Sequence, residues 1–254
     1  MKNIYKFSIF TLLAFGSMFY SCETLELEKL ANPIALTEAD PDLLFNRIQN
    51  DFRQSIAEFN FEGSTLGRIL VMGTRNYFAR YGSGTVSTSW NNLYADILPD
   101  LAAIELVNSA DNDLSFHLGA GKAMQATIML NLVDYLGDIV YSQANNPSEF
   151  PSPALDAGRD VYVTAIAILD EASALMSGAS VGTATDLFYG GDTGKWIKYI
   201  NTIKMRAALA QGNYSAVINA TNVLSSTDDD MEYRYGTQEL GPDTHHPDYA
   251  GDYT

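Results

Sequence analysis

The sequence is poor in the residues that build reactive centres. It holds one cysteine, three histidines and two tryptophans, and its 15 basic side chains face 31 acidic ones. One cysteine forms no disulfide within its own chain and anchors no cysteine-based metal site. His117 stands alone and His245-His246 are neighbours near the end. They do not supply the three or four convergent ligands that a metal requires, so neither metal nor cofactor is expected. A net charge of −16 repels phosphate backbones and disfavours nucleic acid as a partner. It also removes any polybasic grip on anionic lipid. The one Gly-x-Ser-x-Gly string, Gly178 to Gly182, follows a helical stripe and not the strand that a nucleophile elbow requires, and no His-Glu-x-x-His helix occurs. The chain is therefore expected not to be an enzyme. A helical glycoside hydrolase stays open as an alternative, because a catalytic carboxylate pair is defined by spatial separation and leaves no mark in sequence.

What is present begins at the amino terminus. Lys2 and Lys6 precede an uncharged, largely apolar run over residues 7–20. That run falls short of the roughly 20 residues that span a bilayer, but it suits the core of a secretory signal peptide. It stops at Ser21-Cys22, and Cys22 is the only cysteine. The pattern resembles a bacterial lipobox, with Phe19 where leucine is usual. Residues 1–21 are thus expected to be a lipoprotein signal peptide, and Cys22 the lipidated first residue of the mature chain. Loss of the two lysines takes the net charge from −16 to −18, which leaves acylation as the means of membrane attachment. Residues 22–40 read as a tether. Its Glu23, Glu26 and Glu28 resemble the acidic tag that sends some lipoproteins to the cell surface.

Beyond the tether, apolar residues recur at helical spacing. Asp40-Pro41 supplies a start, and Leu44, Ile48, Phe52, Ile56 and Phe59 form the first stripe, with Gly63 as its expected break. A second helix is expected over 66–81, before Gly82-Ser83-Gly84. A third runs from Trp90 through Leu93, Ile97, Leu101, Ile104 and Val107, with Pro99 an expected kink. A fourth is expected from about Asp113 to Tyr135, ended by Gly137-Asp138, and Tyr162 to Met176 gives a fifth. Trp196, Tyr199, Ile200, Ile203 and Ala207 mark a sixth, and residues 214–224 a short seventh. No segment alternates with the period of a strand. The fold class is all-α, with a helical domain over 41–227. Residues 228–254 carry no helical stripe and read as an irregular tail, the start of a second half that is missing.

Two segments invite chemistry and do not sustain it. Gly190-Gly191-Asp192-Thr193-Gly194-Lys195 looks like a phosphate loop, but Tyr189 replaces the first glycine and Trp196 the magnesium-binding hydroxyl. A turn capping the sixth helix is the simpler reading. Asp228-Asp229-Asp230 lacks the glycine and distal glutamate of a calcium loop. The 15 tyrosines and 12 phenylalanines outnumber the needs of a plain helical core. Pockets combine apolar walls with few polar groups, and sugar rings stack on aromatic faces. The richest mixture of rings and planar polar groups lies between the second and third helices. Tyr81, Trp90 and Asn91 are the candidate ligand-binding residues there, although Trp90, Leu93 and Tyr94 also share core spacing.

Three segments carry a family resemblance. Gly137-Asp138-Ile139-Val140-Tyr141 resembles the Gly-Asp-Ile-Pro-Tyr signature of SusD/RagB lipoproteins, with Val140 for proline. Residues 186–196, from Asp186 to Trp196, are similar to that family's Asp-x-x-Tyr-x-Gly-Asp-x-x-Lys-Trp segment, and Met205-Arg206 sits where it carries Lys-Leu-Arg. Gln211-Gly212-Asn213-Tyr214 resembles the turn between tetratricopeptide helices. The resemblance implies tetratricopeptide-like helix pairs and an outer-membrane protein, lipid-anchored and facing outward. Such a protein captures a glycan or oligosaccharide and delivers it to a TonB-dependent transporter. A helical scaffold that docks proteins, without a small ligand, is the alternative from another class.

Overall fold

A computed structural model describes residues 40–71, 81–238, 245–247 and 249. Cys22, the tether and most of the expected second helix lie outside the described residues. Helix α1 (Pro41–Leu66) starts where expected: Asp40 accepts from the Asp42 amide at 2.9 Å, with Pro41 in the first turn. It does not break at Gly63. The Tyr135 hydroxyl donates to Phe59 O at 2.8 Å, and a Cβ on Gly63 would lie 2.9 Å from that hydroxyl. The glycine therefore admits a crossing side chain rather than ending the helix. The end comes at Arg68, which adopts φ 59° while the Ile69 amide turns back to Ser64 O at 2.8 Å. Leu66 thus closes α1 instead of opening a second helix.

The expected third helix is a composite. Helix α2 (Ser87–Asn91) passes through a π-helical turn (Asn92–Ile97) into α3 (Leu98–Val107). Pro99 has no amide to donate and its ring opposes the carbonyl one turn back. The widened turn, in which the Leu98 amide reaches Leu93 O, relieves that conflict just upstream.

Helix α4 (Ser115–Leu136) lies at the centre. From Phe116 to Val133 every residue but Lys122 is buried, so it is apolar on all sides. Each fully buried large apolar side chain contributes about 1.5–3 kcal/mol, and Phe116, Met124, Ile128, Met129 and Leu132 are among them. Helices α1, α3, α5 (Gly158–Met176) and α6 (Thr193–Ala210) surround it. Gly119 of α4 faces Met176 while Val133 faces Gly158, so α4 and α5 form an antiparallel pair. Helix α7 (Tyr214–Ile218) is shorter than its stripe predicts. Asn201 Nδ2 donates to Asn222 O at 3.1 Å and Thr202 Oγ1 accepts from the Leu224 amide at 2.9 Å, pulling residues 222–224 back onto α6. After a 3₁₀ turn (Thr227–Asp229), residues 230–238 run without helix. They do find packing partners: Tyr233 and Tyr235 lie against α1 through Arg53. Among the described residues there is no extended strand, only two isolated bridges.

Candidate functional site

Both signature segments are structural clasps. Gly137 takes φ +85° after α4, and Asp138 Oδ1 then accepts from the Gly158 amide at 2.8 Å, capping α5 from a distance. Ile139 is fully buried and its carbonyl accepts from the Asp156 amide at 2.8 Å. The Tyr94 hydroxyl donates to Val140 O, and Asp156 Oδ2 accepts from the Tyr141 and Ser142 amides at 2.7 and 2.8 Å.

In the second segment Asp186 is the organiser. Its Oδ1 accepts from the Phe188 and Tyr189 amides at 3.0 and 3.2 Å, and its Oδ2 from the Gly191 amide and Trp196 Nε1, both at 2.9 Å. The fully buried Gln49 fastens the loop on either side of Asp186, donating to Thr185 O at 2.8 Å and accepting from the Leu187 amide at 2.7 Å. Asp192 caps α6 through the Lys195 amide at 3.0 Å, and Lys195 Nζ donates to Asp228 O at 2.6 Å. The glycine-rich string is accordingly a folded turn with its groups already engaged. Asp229, the buried member of the acidic triplet, accepts from Lys198 Nζ at 2.6 Å and from the Ser225 amide at 3.1 Å. The Lys198 bond, with help from Ser225, holds its carboxyl at about 2. It serves as a loop anchor.

This ordering turns rings toward one face. Phe188 meets Phe52, Trp196 and Tyr233 edge-on, with centroids 5.7, 6.3 and 5.9 Å apart. Trp196 is fully buried and backs the wall from within. Between α1, α4, α6 and the 231–233 segment lies a groove of about 390 Å³. Its walls are Phe52, Ile56, Phe59, Phe188, Tyr199 and Tyr233, and its planar polar groups are Arg53, Asn60, Asn131 and Arg206. Asn131 and Arg206 are held in place: Arg206 Nη2 donates to Asn131 Oδ1 at 2.6 Å and to Asp134 Oδ2 at 2.9 Å. Tyr199 is tied to Thr127 at 2.8 Å, and burial raises the pKa of its hydroxyl. An adjoining cleft of about 440 Å³ shares Arg53 and Tyr233 and continues to Tyr235 and His245. A more polar hollow of about 770 Å³, lined by Lys195, Asp228, Asp230 and Glu232 among others, shares Phe188 with the groove. Rings beside fixed amides and guanidiniums can stack on a sugar face and bond its hydroxyls; among the described residues that line the groove there is no nucleophile–base pair.

The residues singled out from sequence lie elsewhere. Tyr81 is half-exposed and its hydroxyl donates to Tyr135 O at 3.2 Å. Trp90 is half-buried and packs on Tyr94 with centroids 4.5 Å apart, while Asn91 is exposed at the end of α2. None of the three lines the cavities described above. Sequence reasoning passed over Arg53 and Tyr233. The available signal was the alternation Tyr233-Arg234-Tyr235, together with an arginine set beside the core position Phe52. His117 is buried on α4, its Nε2 2.7 Å from Asp42 Oδ1, and so joins α4 to the start of α1.

Residues 33–240 match the model of a family named SusD-like_2, described as starch-binding and associating with the outer membrane. Solved structures share the fold. A SusD/RagB family protein from Bacteroides thetaiotaomicron is 21% identical with a TM-score of 0.62, over 81% of this chain and 47% of that one. A SusD homolog from Bacteroides fragilis is 19% identical with a TM-score of 0.61, over 85% and 48%. A chitin-binding protein is 23% identical with a TM-score of 0.56, over 76% and 45%. The chain thus spans less than half the length of these structures. A search of curated proteins finds no match.

Proposed function

The chain belongs to the SusD-like family, whose model covers most of it, and on that premise we propose that it captures a glycan at the outer membrane. In this reading it is a lipoprotein held by acylated Cys22, facing outward, that passes the sugar to a TonB-dependent transporter. It binds its ligand without cleaving it. The observation that carries the reading is the groove beside Phe188: it is lined by the rings of Phe52, Phe59, Phe188, Tyr199 and Tyr233, with the guanidinium and amide of Arg206 and Asn131 fixed by mutual bonding. Preset polar groups lose little freedom when they meet hydroxyls, which favours binding of a flexible polar ligand. The edge that carries Tyr81, Trp90 and Asn91 is a second candidate surface, supported by the exposure of Tyr81 and Asn91.

The experiment is calorimetric titration of the purified protein against a panel of polysaccharides and oligosaccharides, with product analysis on the same mixtures. Saturable binding with no shortened products is expected. Reproducible cleavage that disappears on replacing a carboxylate would favour the hydrolase alternative. Absence of any glycan binding, with a protein partner retained, would favour the docking scaffold.

A further inference from the structure

The cleft that adjoins the groove has an unusual charge for this molecule. The chain as a whole is acidic by 16 charges, yet the cleft is lined by Arg53, Arg234 and His245 with Tyr233 and Tyr235. Among the described residues its lining beyond these is only a glycine and a proline, with no carboxylate. Arg53 is held in place rather than free to swing. Its guanidinium carbon lies 5.3 Å from the Tyr233 ring centroid and 5.7 Å from that of Tyr235, and Nη1 donates to the Tyr235 hydroxyl at 2.9 Å. Among the described residues Arg53 makes no ion pair, and its buried Nε has no hydrogen-bond partner. A guanidinium has five N–H donors, so most of its capacity is unspent. Arg234 contacts Glu232 at 3.3 Å, but both side chains are exposed and water screens the pair. Cations over aromatic faces are held by the ring quadrupole, which here fixes the direction of the fork.

We propose that this cleft receives the carboxylate of a uronic-acid residue, so that the glycan captured is an acidic one. The proposal rests on the glycan reading above and narrows its ligand class. The Arg53 fork accepts the planar carboxylate in two parallel bonds, a geometry that a lysine does not reproduce. Tyr233 stands on the boundary of cleft and groove, so a sugar whose acid meets Arg53 has its next residues beside Phe188.

The test compares short oligomers of galacturonate, of mannuronate and of a glucuronate-containing glycan, each with its fully methyl-esterified form. Esterification removes the charge and keeps the chain. At least one acid form should bind about tenfold or more tightly than its ester, the advantage expected of a charge-assisted bond. That advantage should shrink as sodium chloride is raised. Arg53→Gln should remove it, and Arg53→Lys should restore only part. Arg234→Gln, at an exposed position where folding is not at stake, should weaken the acid form several-fold; melting curves check the Arg53 variants. Esters that bind as tightly as acids, or an Arg53→Gln protein that folds and keeps full preference, would overturn the proposal while leaving glycan capture standing. Binding of no oligomer, acid, esterified or neutral, would remove the glycan reading and this inference with it.

Discussion

Replacing Asp186 by alanine removes an acceptor shared by four donors, three backbone amides and the Trp196 indole N–H. The amides lie on a half-buried loop and can turn toward water if it loosens. The indole cannot, because Trp196 is fully buried. Leaving one buried donor unpaired costs about 1–3 kcal/mol, and bonds to a charged acceptor are worth about 1.5–3 kcal/mol each. With partial rescue of the amides by water, Asp186→Ala is expected to lose about 3–5 kcal/mol. That is a large share of the roughly 5–15 kcal/mol that stabilises a typical domain. For a domain of this size it lowers the melting temperature by about 10 °C. Asp186→Asn, which offers an amide to a set of donors, should lose about half as much. Thermal and urea melts followed by circular dichroism give the magnitude, and tryptophan emission reports whether Trp196 has met solvent. A loss below about 1 kcal/mol would refute the assignment of this segment as a structural clasp and reopen it as a site.

Other consequences are as direct. A Cβ on Gly158 would sit 2.3 Å from Gly137 O and 2.9 Å from Val133 Cγ1. Gly158→Ala should therefore cost about 2–3 kcal/mol in urea melts, since backbone has little room to yield. Burial lifts the Asp51 carboxyl to about 6, with Asp96 and Asp100 adding to the rise and Arg47 and Arg53 opposing it. The folded state then holds this proton more tightly than the unfolded chain, so ionised Asp51 subtracts stability as pH rises through about 6. Asp51→Asn should raise the melting temperature at pH 8 and leave it unchanged at about pH 3, below the carboxyl's ordinary value; an equal gain at both would show that titration is not the cause. Cys22→Ala should shift the protein from the membrane fraction to soluble material, because acyl chains gain about 0.8 kcal/mol per buried CH₂. A distribution that does not move would contradict the lipid anchor.

The helices were legible wherever an apolar stripe faced one neighbour. The first stripe from Leu44 to Phe59 and the sixth from Trp196 to Ala207 give α1 and α6, and Asp40 and Asp192 cap both. Helix α4 was legible from the spacing of Leu118, Met124, Ile128 and Leu132 although it is buried on all sides. What escaped depended on contacts between distant residues. Gly63 reads as a breaker in isolation, and only the Tyr135 hydroxyl explains why a glycine lies mid-helix. The π turn was foreshadowed by Pro99, whereas its upstream position follows from backbone bonding. The early stop of α7 depends on Asn201 and Thr202, a full helix away. The same holds for the candidate groove. Arg53 and Tyr233 are 180 positions apart, and no local pattern joins them. The sequence instead drew attention to Tyr81, Trp90 and Asn91, which are neighbours along the chain.

Glycan capture at the groove is tested most directly by one calorimetric series. Wild-type protein, Tyr233→Ala, Phe188→Ala and the pair Tyr81→Ala and Asn91→Ala are titrated with the same panel, each variant having first been melted. Loss of a stacking ring is worth about 0.5–1.5 kcal/mol. Tyr233→Ala and Phe188→Ala should thus weaken binding about three- to tenfold, while the Tyr81 and Asn91 variants bind as the wild type does. Full-strength binding by the folded Tyr233 and Phe188 variants, with loss in the other two, would move the site to the α2 edge. A wild-type protein that binds no glycan would contradict the account itself.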